Sequence, residues 1–257
     1  TVEAGTAMVA AMVGVEGAHR VVEDAEVVRS RCAPDTQWWA IATVVRAGAE
    51  LMLGHFDQSR SLLLRLSPSS STAPALDALA LAHVSLLDLE RGAWDDAEAN
   101  SRRSLQLADA HDLEGVSSLV AIYAVGALLE ARRPNRDAAR DLVKVVQRTL
   151  ARLGSLAPRT QLHAYVLLAR THLVLGDPAD ARLMAAEADR LQEREPGAPA
   201  LNDWLAEVHE QLRAARDDEL LPGQRLTPAE LRLLPHLATH LSLQEIADRL
   251  LVSRNTA

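Results

Sequence analysis

His236 and His240 stand four residues apart, the spacing that puts two imidazoles on one helix face as metal ligands. No glutamate follows His236 to serve as a general base, and no third ligand stands nearby, so the pair does not read as a zinc hydrolase helix. Cys32, the sole cysteine, has no companion histidine or basic cluster to hold it as a thiolate. Lys144, the sole lysine, follows Asp141, Leu142 and Val143 rather than a glycine-rich turn, so no phosphate loop is present. No G-x-S-x-G elbow, paired-carboxylate cleft or Cys-His pair stands out. The expected catalytic, metal and cofactor sets are therefore empty, and the chain does not read as an enzyme. His163 and His172 fall on or beside an apolar helix face and read as packed or surface histidines. Trp38 and Trp39, beside Gln37, read as core spacers in an alanine-rich body, with an effector or partner groove as the alternative. Arg132, Arg133, Arg136 and Arg140 read as a solvated helix face, with a contact surface as the alternative.

The elements that would carry these residues are helices. The 257 residues are 48% hydrophobic but only 3% aromatic, and Ala, Leu and Arg, all strong helix formers, dominate. One cysteine excludes an internal disulfide framework and agrees with a reducing cytosol, so a cytoplasmic location is expected. No apolar run reaches the ~18 to 20 residues that span a bilayer, and no membrane partner is expected. The net charge is −8, unevenly spread: residues 221–257 carry about +1 and the rest about −9. The long acidic part is no polyanion binder, so any contact with nucleic acid falls to the last segment.

Three related segments recur: LGHFDQSRSLL from Leu53, RGAWDDAEANS from Arg91 and LGDPADARLMA from Leu175, with RRPNRDAARDL from Arg132 as a weaker fourth. In each, a helix stops at Gly or Pro, a polar turn follows, and a small residue sits near the start of the next helix. Aligned on the wording, those residues are Ser59, Ala97, Ala138 and Ala181. Gly54, Gly92 and Gly176 suit the left-handed position that ends a helix, while Asp57, Asp95, Asp137 and Asp177 fall where the next begins. Leu162, Tyr165, Val166, Ala169, His172 and Leu173 show the i, i+3, i+4, i+7 spacing of a buried face, as do Leu76, Leu79, Ala80, His83 and Leu87. The junction Gly92, Trp94, Ala97 resembles the tetratricopeptide (TPR) family. The period departs from that family's ~34 residues, which longer helices or loops explain. A TPR-like helical-repeat solenoid is expected, with an irregular helical bundle as the alternative.

The final 32 residues hold three helix starts in close succession. Thr227, Pro228 and Glu230 form a capping box with Pro at the first helical position; Ser242 and Glu245 form a second; Ser253 is a third N-cap. Leu231, Leu234, Leu237, Leu241, Ile246, Ala247, Leu250 and Val252 give three short helices a shared core, the arrangement of a helix-turn-helix. Pro235 predicts a kink or break in the first of them.

With its LTPAEL, LS, EIA and VSRNT stretches, this segment resembles the DNA-binding domain of LuxR/GerE-type transcription regulators, and with the repeats before it, MalT-like members of that family. His240 stands where many members have Gly. The resemblance implies a DNA-binding transcription regulator. Its DNA contacts carry over only to Ser253, Arg254, Asn255 and Thr256, since most base contacts of the family lie further along the recognition helix. The expected organisation is a helical-repeat signal or partner domain over 1–216, a linker over 217–225 and a partial helix-turn-helix over 226–257. Starting at Thr1 and stopping within the recognition helix, the sequence reads as a piece of a longer protein. DNA, an effector or protein on the repeats, and a second copy of the chain are the expected partners. A TPR-like interaction scaffold without DNA binding of its own is the alternative function.

Overall fold

The computed structural model describes residues 2–13, 17–34, 36–66, 73–153, 157–194 and 197–220. Among them the fold is all-helical: α1 (Val2–Val13), α2 (Ala18–Arg31), α3 (Gln37–Met52), α4 (Phe56–Leu64), α5 (Pro74–Glu90), α6 (Trp94–Ala110), α7 (Val120–Glu130), α8 (Asp137–Leu153), α9 (Pro158–Leu175), α10 (Pro178–Gln192) and α11 (Pro199–Leu220). Two 3-10 turns, Leu113–Gly115 and Ser117–Leu119, lead into α7. The chain divides into two compact units, Thr1–Leu212 and Arg213–Ala257. The first carries the architecture below. Of the second, the described part is the end of α11.

Each helix packs on the next within the pairs α3/α4, α5/α6, α7/α8 and α9/α10, and the first members α3, α5, α7 and α9 also pack successively on one another. Burial follows from this. Every residue of α7 from Val120 to Leu129 is buried, the pattern of a helix apolar all round. The second members bury one stripe only: Ala97, Ser101, Ser104 and Ala108 on α6, and Ala181, Ala185, Ala188 and Leu191 on α10. Small residues in those stripes let the helices approach closely, and hydroxyls pin them. Ser59 donates to the Ala47 carbonyl at 2.7 Å, Ser85 to that of Ala97 at 2.7 Å, and Ser104 to that of Ala78 at 2.6 Å.

Three of the turns between pair members share one geometry. Gly54, Gly92 and Gly176 take φ of 82°, 74° and 81°, a left-handed conformation that costs a residue with a Cβ roughly 1–2 kcal/mol. The amide one residue beyond each donates back to the helix: His55 to the Glu50 carbonyl, Ala93 to Asp88 and Asp177 to His172, all at 2.9 Å. Each glycine amide bonds the carbonyl three residues earlier, which completes a Schellman motif. Asp57 and Asp95 sit in the first turns of α4 and α6, and Asp137 begins α8. Asp177 is the N-cap residue of α10 but makes no side-chain cap bond. These carboxylates meet the helix dipoles rather than capping them.

The fourth junction corrects one sequence expectation. Ala138 is exposed and Ala139 is fully buried, beside Ala131 and Leu175. That turn has no left-handed glycine and closes instead with Asn135 accepting from the Asp137 amide at 3.0 Å. The packing register is therefore kept from the small residue, not from the turn wording, and Ala97, Ala139 and Ala181 fall at equal intervals of 42 residues.

The last helix packs back on an earlier one. Leu201, Trp204, Leu205, Val208 and Leu212 of α11 form the buried stripe expected of a final helix, and the Trp204 indole lies parallel to the Phe56 ring of α4 at 6.1 Å. A Cβ at Gly197, just before α11, would lie 3.7 Å from the Ala18 amide nitrogen and 3.9 Å from the Gly17 Cα, at the start of α2.

Candidate functional site

A cavity of about 200 Å3, open to the surface, lies between α3, α5 and α9, with α1, α2 and the start of α7 completing its wall. Its body is apolar, supplied by Ile41, Val44, Val45, Met52, Leu76 and Leu79. Polarity enters at two places. Ser118 of the second 3-10 turn lines the cavity, as do Arg159 and Thr160 of the first turn of α9, so a hydroxyl and a guanidinium stand at the positive end of an 18-residue helix. His83 and His163 form the other polar wall, their rings 6.2 Å apart.

Both histidines are buried, and neither His83 Nδ1 nor His163 Nε2 has a hydrogen-bond partner. Burial holds both rings neutral: His83 is lowered to about 4, and His163 to about 3 with help from His83 and Arg170. Each neutral imidazole has one donor and one acceptor nitrogen, and a buried polar atom left unsatisfied costs about 1–3 kcal/mol. The wall is shaped to hold His83. A Cβ at Gly48 would lie 3.3 Å from His83 Cε1, so glycine there makes room for the ring.

Aromatic contacts continue outward from this wall. Trp204 lies 6.4 Å from His163 and stacks on Phe56, while the Arg170 guanidinium sits 5.0 Å over the indole and pairs with Glu90 at 2.8 Å. The last helix of the first unit is thus one ring away from the cavity.

Two open grooves lie on the outside. One of about 510 Å3 between α4, α5 and α6 has Leu63, Leu64, Leu81 and Leu107 along it. At its polar centre, buried Asp88 accepts from Arg60 at 2.9 Å and from Asn100 at 3.1 Å. Burial raises the Asp77 carboxyl at its edge, partly offset by Arg103. The second, about 500 Å3, is bordered by Asp109, Asp112, Glu114, Glu130 and Asp141, of which the last three pair with Arg148, Arg133 and Lys144. Beside it, burial and the nearby carboxylates push the Tyr123 hydroxyl up to about 12.

Ser253, Arg254, Asn255 and Thr256, like His236 and His240, lie outside the described residues. Trp38 is 54% exposed and Trp39 half-buried under the Arg29 guanidinium at 5.0 Å. Thr36 caps α3 by accepting from the Trp39 amide. Neither indole lines the cavity or the two grooves. Cys32 is half-buried and free.

The arginine cluster is not a freely solvated face. Arg132 lies 4.1 Å over the Trp94 ring, Arg133 pairs with Glu98 and Glu130, and Arg136 donates to the Leu175 carbonyl at 2.9 Å. Only Arg140 keeps a purely local partner among these bonds, Asp137 at 3.7 Å. The cluster staples one helix pair to its neighbours. His163 is packed, as expected. Its pairing with His83 across 80 positions of sequence had no local signal, because two histidines in different apolar stripes look alike whether or not they meet.

Among the described residues, no helix is long and apolar enough to cross a membrane. Comparison with protein-family models, with curated proteins and with solved structures gave no match to this chain.

Proposed function

We propose that this chain belongs to a DNA-binding transcription regulator in which a TPR-like helical-repeat solenoid senses a signal and controls a LuxR-type helix-turn-helix. The observation that carries the reading is the 226–257 sequence, with its two capping boxes, shared apolar positions and VSRNT end, following a body of paired helices. The recurring left-handed glycine turns and the 42-residue interval between buried alanines support a repeat array with longer units than the ~34 of the TPR family. The cavity among α3, α5 and α9 supports the sensing role. It offers an apolar body, the Arg159 guanidinium and two neutral imidazoles, each with a ring nitrogen free of a hydrogen bond, and its size restricts it to an effector smaller than a drug-sized ligand.

In this reading the effector enters among α3, α5 and α9, satisfies His83 and His163, and shifts the His163–Trp204 contact. α11 carries Trp204 and is the element through which such a shift leaves the cavity. A ligand biases the regulator only by the difference in its affinity for two arrangements, and the Trp204 stack is the contact on which that difference would have to act. Arg254, Asn255 and Thr256 contact DNA, with Ser253 capping their helix. The acidic body keeps the remaining surface off the phosphate backbone.

Selection from random duplex DNA with the full-length natural protein tests the reading. Enrichment of one sequence motif, lost in Arg254→Ala and Asn255→Ala, is the expected result. No enrichment, or enrichment indifferent to both substitutions, overturns it and favours an interaction scaffold. For that second reading the supporting feature is the α4–α6 groove, where Leu64 is 59% exposed beside the Arg60–Asp88 pair.

A further inference from the structure

The end of each first-member helix places a titratable residue at the same register: Glu50, Asp88, Glu130 and His172. Three of these positions are satisfied by side chains nearby. Glu50 accepts from His55 at 2.7 Å and Gln58 at 2.8 Å. Asp88 meets Arg60 and Asn100, and Glu130 pairs with Arg133 at 3.3 Å. His172 differs. It is 5% exposed, and neither of its ring nitrogens has a hydrogen-bond partner.

What faces that imidazole is a pair of carboxylates. His172 Nδ1 lies 4.0 Å from Asp177 Oδ2 and 3.9 Å from Asp180 Oδ2, and the three donor atoms fall within 4.8 Å of one another. These positions correspond to Glu50, His55 and Gln58 in the first repeat, where the same turn brings three side chains into direct hydrogen bonds. At the last junction the turn is equally fixed, by the Asp177 amide on the His172 carbonyl at 2.9 Å and by Pro178 opening α10. The side chains nevertheless stand too far apart to bond each other.

We propose that His172, Asp177 and Asp180 form a binding site for a first-row divalent metal ion, of which Zn2+ is the type. Ligands about 2.1 Å from a tetrahedral ion stand roughly 3.4 Å apart, so the two His–Asp separations close by about half an ångström on loading. The two aspartates, on the exposed side of the turn, supply that movement. An imidazole with two carboxylates suits Zn2+, Mn2+ or Co2+ better than the all-oxygen shells of Ca2+ and Mg2+, and water completes the coordination. Burial lowers the His172 pKa against the opposing pull of the two carboxylates. The ring then offers its lone pair at neutral pH, the form a metal requires. A bound ion would lock the α9–α10 turn, independently of any role in DNA binding.

Calorimetric titration of the metal-free full chain with Zn2+, and the visible absorption of added Co2+, test the site. One equivalent is expected to bind, with tetrahedral or five-coordinate Co2+ bands. Affinity should fall by about tenfold or more in Asp177→Asn and in Asp180→Asn, both outside the core, and should be unchanged in Asp95→Asn on another junction. Mg2+ should not compete. Absence of saturable Zn2+ binding overturns the site. So does binding that survives both asparagine variants but disappears in His236→Gln/His240→Gln, which would put the metal on the other histidine pair.

Discussion

Trp204 and Phe56 hold their rings 6.1 Å apart and within 5° of parallel, joining the last helix of the first unit to α4. A helical-repeat array in which each unit touches only its neighbours needs no such contact, and here it ties α11 back to the second helix of the α3/α4 pair. The same indole faces His163 and carries Arg170 above it, so one side chain joins α4, α9 and α11. Trp204→Ala is expected to destabilise the chain by about 3–5 kcal/mol in urea unfolding. A double-mutant cycle with Phe56→Leu should return a coupling of about 0.5–1.5 kcal/mol. A coupling of zero would mean that the two rings pack independently.

Ala139 and Ala138 are adjacent but have opposite environments, one fully buried and the other exposed. Leucine at 139 must fit into the space between α7, α8 and α9, which typically costs ~1 to 3 kcal/mol. Leucine at 138 should stay within about 0.5 kcal/mol of the parent. Thermal melts of the two variants give the comparison, and equal midpoints would remove the 42-residue register.

The all-helical class was legible because composition and 3.6-residue periodicity are local properties, and the glycine turns were legible because Gly54, Gly92 and Gly176 have a local conformational reason to be there. The junction at residue 134 was misread for the same cause. Its turn uses Asn135 in place of a glycine, so the wording slipped one residue against the packing. Periodicity also understated α9: Gln161, His163 and Thr171, off the apolar stripe, are buried too, because helices press on α9 from several sides. The His83–His163 wall, the Trp204 stack and the His172 cluster depend on which helices meet. Nothing within a single stretch of chain records that.

Gly176 tests the turn geometry. At φ 81° a Cβ finds open space, yet the backbone is strained for any L side chain. Gly176→Ala should therefore cost roughly 1–2 kcal/mol through conformation alone. Gly5, inside α1 with a Cβ likewise in open space, should gain from the same change by about 0.4–1 kcal/mol. Opposite signs in denaturant midpoints are the expected outcome, and loss of stability at both would assign the effect to contacts instead.

His83 and His163 set the acid side of the stability profile. Unfolded, each titrates near 6.5; folded, burial holds His83 at about 4, and burial with nearby His83 and Arg170 holds His163 at about 3. Above pH 6.5 both states are neutral at these rings, and pH has no leverage through them. Below it the unfolded chain takes up protons that the folded chain refuses, so stability falls as pH drops from 6.5 toward 4. The slope is at most about 1.4 kcal/mol per pH unit for each histidine. The clearest window is pH 6.5 to 5, above the range where most carboxylates titrate. His83→Leu with His163→Phe should reduce the slope of the unfolding free energy across that window, leaving the smaller contribution of His172, whatever the double variant does to stability at pH 7.5. An effector that hydrogen-bonds the two neutral rings should stabilise the parent chain at pH 7 and leave the double variant unmoved. A slope unchanged in the double variant would mean that other groups govern acid unfolding and that the two rings exchange protons freely with solvent.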